Sequence, residues 1–153
     1  MSALGRVGRL FLFVVAATLV IVSQSQAAES CHKINAKGVG LDNGDFTTDA
    51  KIIGGGLLHG TTHAAFTPTG MVGTIVSFAG TVTVTTKNGT LTVSIVGTLD
   101  VSSGEFSGTG PVTGATGKLA GATGILTFEG VQDLSTGVFV EDVTGAICVD
   151  LAP

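Results

Sequence analysis

Between Thr81 and Ser94, valine, leucine and hydroxylated side chains alternate on either side of Asn88-Gly89. Period-two alternation is the signature of a strand with one dry face and one wet face. Asn-Gly between two such runs predicts a tight hairpin, because a type I′ turn needs positive φ at both central residues. Taking Asn88 and Gly89 as the two-residue loop places Lys87 opposite Thr90. Val84 then faces Val93, Val82 faces Ile95, Gly80 faces Gly97 and Phe78 faces Leu99. One face of this ribbon is apolar, and the other carries Thr83, Thr85, Thr92 and Ser94. The opposed glycines predict a bend or a close backbone approach.

The same reading extends along the chain. Strands are expected near 32–37, 51–58, 61–67, 71–78, 105–112, 124–131 and 138–151. A turn is expected at Asp133-Leu134-Ser135-Thr136-Gly137. In the last strand Phe139, Val143, Ile147, Val149 and Leu151 share one phase, and Asp142, Thr144, Cys148 and Asp150 the other. No window carries a helical apolar period without a glycine break. About eight short antiparallel strands in hairpin order predict an all-β domain, a closed barrel or, as the alternative, a sandwich.

The start of the chain follows another pattern. Arg6 and Arg9 precede an apolar run from Leu10 to Val22, then a polar stretch that ends in Ala27-Ala28. This predicts a secretory signal peptide over residues 1–27, with 28–153 as one domain. The apolar run falls short of the roughly 20 residues that span a bilayer, so the mature chain is expected to be secreted or periplasmic and to stay off the membrane. Export gives the two cysteines, Cys31 and Cys148, an oxidising compartment, where a disulfide between the chain ends is expected. Loop-closure entropy values such a tie at about 4–5 kcal/mol. It would also join the first and last strands, which favours a barrel.

Removing the leader changes the charge. Both arginines go with it, leaving five lysines against all 11 acids, a net charge of −6. A chain without arginine and with that balance offers no cationic track for phosphates, so nucleic acid is not an expected partner. Trp and Tyr are absent, which removes the usual stacking platforms for sugars and single strands. The phenylalanines are left to fill a core or line an apolar pocket.

A local repeat adds a family resemblance. Gly114-Ala115-Thr116-Gly117 recurs as Gly121-Ala122-Thr123-Gly124, the first copy read as a turn and the second as a bend in the next strand. With Gly104-Glu105-Phe106-Ser107-Gly108-Thr109-Gly110 upstream, this glycine-punctuated stretch resembles the C-terminal half of dirigent proteins and allene oxide cyclases. Leu119 stands where that family often has an aromatic. The resemblance covers about a third of the mature chain. It implies an eight-stranded antiparallel barrel, often a homo-oligomer, and transfers none of the family's site residues.

Candidate chemistry is sparse. By strand phase Glu141 belongs with Phe139, Val143 and Ile147 and points to the apolar side. There burial would raise its pKa and suit it to general acid or base work. The plainer expectation is a bulge at Glu141-Asp142 that turns both acids outward. His59 and His63 are too far apart along a strand to share one metal ion unless a turn at Gly60 intervenes. Asp42-Asn43-Gly44-Asp45, with Asp49 beyond, lacks the spacing and closing glutamate of a calcium loop and reads as a turn. Asn88-Gly89-Thr90 is a glycosylation sequon whose residues the hairpin already explains. No metal or cofactor is expected.

Three functions follow. The first, and preferred, is a non-enzymatic exported barrel that binds a small apolar ligand or serves as a structural module. The second is a cyclase or isomerase with an inward acid such as Glu141. The third is adhesion or assembly through a threonine-rich face. A Phe- and Val-lined cavity with Glu141 projecting into it favours a ligand binder or an enzyme, whereas a solid interior leaves only surface function.

Overall fold

A computed structural model describes residues 30–151. The expected leader, residues 1–27, and its expected cleavage site lie outside the described residues. Eight antiparallel strands close into a barrel in sequence order: β1 Ser30–Asp42, β2 Thr47–Gly54, β3 Gly60–Val72, β4 Ile75–Thr86, β5 Gly89–Asp100, β6 Glu105–Ala115, β7 Thr123–Gln132 and β8 Val138–Val149. The seam is the β1–β8 pair, where Cys31 lies directly opposite Cys148 and the two form the expected disulfide. Among the described residues no helix is long and apolar enough to cross a membrane. The disulfide is compatible with a protein outside the cytoplasm.

The predicted apolar face is the barrel interior: Val82, Val84, Leu91, Val93 and Ile95 are all buried. The register differs from the expected one by two residues, with Val84 opposite Leu91, Val82 opposite Val93 and Thr86 opposite Gly89. A slip of two leaves every side chain on its own face, so the alternation could not distinguish the two registers. The turn chemistry decided instead. Asn88 does not take positive φ, and Gly89 does, at 133°. The Thr86 hydroxyl accepts from the Asn88 amide at 3.0 Å and donates to the Gly89 carbonyl at 3.1 Å. Lys87-Asn88 is therefore the loop. Gly80 faces Ile95 and Gly97 faces Phe78 rather than each other, yet both make the close approaches expected of them.

Two further boundaries moved. Met71 and Val72 end β3, and Gly73-Thr74 turns the chain before β4, so 71–78 is a hairpin tip and not one strand. The expected strand 51–58 ends at Gly54, and Gly56–Leu58 forms a 3-10 turn; a second covers Gly117–Leu119, starting on the last residue of the first repeat copy. Both turns lie at the end of the barrel that carries the disulfide. Each inserts a fully buried leucine, Leu58 or Leu119. Above them Ile34, Ile52, Val84, Leu91, Leu126, Val143 and Ile147 fill the interior. This end is closed.

Candidate functional site

The opposite end is open. Moving toward it along the inward positions, side chains shrink to glycine or widen to phenylalanine. β1 runs Ile34, Ala36, Gly38, Gly40, while Phe66, Phe78, Phe106, Phe128 and Phe139 enter from other strands. Several rings lie over a glycine on a neighbouring strand. A Cβ on Gly80 would lie 2.6 Å from Phe66, one on Gly97 2.6 Å from Phe78, and one on Gly130 2.8 Å from Phe106. Phe139 lies over Gly40 in the same way. Rings laid on bare backbone hug the wall and leave the axis empty. The edge-to-face pairs Phe66–Phe78, 5.1 Å between centroids, and Phe106–Phe139, 5.8 Å, hold them there.

The result is a cavity of about 170 Å³. Every phenylalanine from residue 30 onward lines it, the sixth being Phe46 at the mouth. An engineered cavity of about 150 Å³ holds benzene, so the space accepts a small ring or a short branched chain. Phe46 is 63% exposed and takes φ of 64°, the left-handed region that bulky residues rarely adopt. The Asp42–Asp49 loop keeps it there through its own polar groups. Asp42 accepts from the Gly44 amide at 2.8 Å, Asp45 from the Thr47 amide at 3.1 Å, and Asn43 donates to Asp49 at 2.9 Å. These acids shape a turn, as expected from the sequence.

Glu141 projects into this space. It pairs in continuous register with Gly38 of β1 and Gly130 of β7, so the bulge expected at Glu141-Asp142 does not form. Alternation holds, because Asp142 finds a cation outside, in an ion pair with Lys37, while the glycines beside Glu141 leave room for it inside. A Cβ on Gly38 would lie 2.6 Å from Cγ and Oε1 of Glu141. The residue is only 8% exposed. Neither a hydrogen-bond donor nor a cation accounts for its titration; burial alone pushes its pKa up to about 7. Among the described residues no fully sealed side-chain oxygen lacks a partner, so the Glu141 oxygens look onto the open cavity. Thr48 and Thr62 also line it, and at the rim Gln132 Nε2 donates to Asp42 Oδ2 at 2.8 Å.

The histidines lie elsewhere. His63 is on the outer face, 2.8 Å from Asp49 Oδ1. His59 caps the 3-10 turn at the closed end, and His32 bonds Ser30 at 2.9 Å. Among the described residues no group of three or more His, Cys, Asp or Glu is placed to hold a metal ion. The phase of β8 put Glu141 on the apolar side, but the preferred expectation was a bulge that turned it outward, and that bulge is absent. The ring of phenylalanines was not found, although its signal was present as glycines at inward positions beside strands that carry Phe. No family model, curated protein or solved structure matches this chain.

Proposed function

We propose that this protein is an exported carrier or receptor that binds a small, largely apolar molecule in the open end of the barrel, with Glu141 meeting the one polar group of the ligand. The observation that carries the reading is the buried carboxyl of Glu141, without a partner among the described residues, at the wall of a phenylalanine-lined cavity. Folding has borne the cost of removing that group from water without supplying a partner, and a bound molecule would supply it. Barrel closure leaves no open strand edge among the described residues, which removes edge pairing as a route to assembly. Secretion or periplasmic residence, with the leader removed, fits the disulfide. The dirigent and allene oxide cyclase resemblance fits the closed eight-stranded barrel.

The test is native mass spectrometry of the protein purified from its own host, followed by NMR titration with toluene and benzyl alcohol. The expected result is a co-purified small organic molecule, or shifts of the cavity phenylalanine resonances on titration. A bare polypeptide mass together with unmoved phenylalanine resonances would refute the reading.

A second reading has its own support. A carboxyl with a pKa of about 7 is half protonated at neutral pH, the state suited to general acid-base catalysis. A cyclase or isomerase would then convert the co-purified molecule, and Glu141→Gln would retain it unchanged.

A further inference from the structure

The cavity is strongly one-sided in charge. Two of its lining residues are acids, Glu141 inside and Asp42 at the rim, and among the described residues no Lys, Arg or His lines it. The other lining side chains are aromatic rings, aliphatic groups, the Thr48 and Thr62 hydroxyls and the Gln132 amide, which donates to Asp42. The faces of aromatic rings carry negative electrostatic potential and attract cations. A free fatty acid or other anion would meet a carboxylate with no counter-charge, a repulsion paid in a dry site. A cation would find the partner that the protein withholds from Glu141.

We propose that the ligand of this site is a lipophilic amine, bound as its ammonium ion, with the apolar body among the phenylalanines and the N–H groups donating to Glu141. This rests on the apolar-ligand reading above and gives that ligand its chemical class. Three observations converge on it. Gly38 and Gly130 flank Glu141 in register, so neither adjacent strand offers a side chain directly opposite it, and the Gln132 amide of β7 is engaged by Asp42. Six phenylalanines line the space of about 170 Å³, and aromatic rings attract cations. Asp42 at the mouth adds a second negative group on the path inward, its carboxylate already held by Gln132. An ammonium group entering this site forms a charge-assisted hydrogen bond, the strong kind, in a low-dielectric setting.

Protonation offers the control. The titratable groups that face the cavity from any strand are Glu141 of β8 and Asp42 of β1; β7 presents Gly130 and Gln132, and β3 to β5 present apolar residues and Thr62. Raising the pH through 7 ionises Glu141 and should strengthen cation binding.

The experiment is isothermal titration of the full exported protein with three probes of one shape: benzylammonium, benzyl alcohol and benzoate. At pH 8 benzylammonium is expected to bind at least about tenfold more tightly than benzyl alcohol, and benzoate the most weakly. At pH 5, and in Glu141→Gln, that preference should fall to about threefold or less, while benzyl alcohol binding persists and reports an intact cavity. Equal binding of the alcohol and the ammonium at pH 8, or tightest binding of benzoate, would overturn the cation assignment and leave the apolar-ligand reading standing. Failure of all three probes to bind, with a bare polypeptide mass from the host, would overturn both. The wild-type ranking decides the matter even if the variant does not fold.

Discussion

The two ends of this barrel are built from the same eight strands with the same inward–outward alternation, yet one end is solid and the other hollow. At the closed end the inward positions carry Ile, Val and Leu of similar size, which interlock, and two 3-10 turns drive Leu58 and Leu119 into the remaining gap. At the open end four phenylalanines lie over glycines of neighbouring strands, among smaller lining residues such as Thr48, Val76 and Leu99. Phenylalanine over glycine conserves the volume of the wall but moves it to the periphery. Binary patterning makes a barrel; the distribution of volumes along the inward positions decides whether it is filled. The closed end, with its disulfide, supplies stability that the open end can spend on an empty space and a dry carboxyl.

That contrast can be broken in three places. The largest effect belongs to the closed end. Leu119→Ala opens a void where packing is complete and should cost about 2–5 kcal/mol, whereas Phe106→Leu, which enlarges a cavity already present, should cost under about 1.5 kcal/mol. Urea denaturation of both variants measures this, and equal costs would mean that the two ends are packed alike.

The next effect belongs to Glu141 and has a definite sign. Between the ordinary value of 4.5 and about 7 the folded protein holds a proton on Glu141 that the unfolded chain has released. The unfolded state binds fewer protons there, so stability falls as pH rises through that window, by about 3 kcal/mol in all, and is level above it. Glu141→Gln should abolish the fall. The variant should match the wild type near pH 4.5 and exceed it by about 3 kcal/mol at pH 8. Parallel stability curves from pH 4 to 8 would show that the carboxyl is solvated and the open end wet.

The smallest effect sharpens the role of glycine. Gly38→Ala places a methyl 2.6 Å from Glu141 Cγ and Oε1, and should cost about 1–3 kcal/mol as the carboxyl is pushed off its position. Ligand binding should fall by more than the stability change suggests. Unchanged binding would show that Glu141 has room to spare.

Much of this was legible in the chain. The alternation around Asn88 gave the correct faces, the cysteines gave the seam, and the phase of β8 pointed Glu141 inward. The hairpin register was not legible, because two registers two residues apart share the same pattern, and the Thr86 hydroxyl chose between them. The expected bulge at Glu141-Asp142 failed for a related reason. A buried acid looks costly along one strand, and only the neighbouring strands reveal the glycines that make room for it.

By itself, then, the sequence determined that the chain is built of antiparallel strands, the dry and wet sides of the hairpin around Asn88 and the covalent tie between the ends, since each depends on residues near one another in the chain or on two unique thiols. The tertiary structure alone decided that glycines of one strand lie under phenylalanines of the next, that all six rings gather at one end, and that Glu141 stands among them unpaired. Those facts depend on which residues become neighbours across strands, and lateral register is set by the closure of the whole barrel.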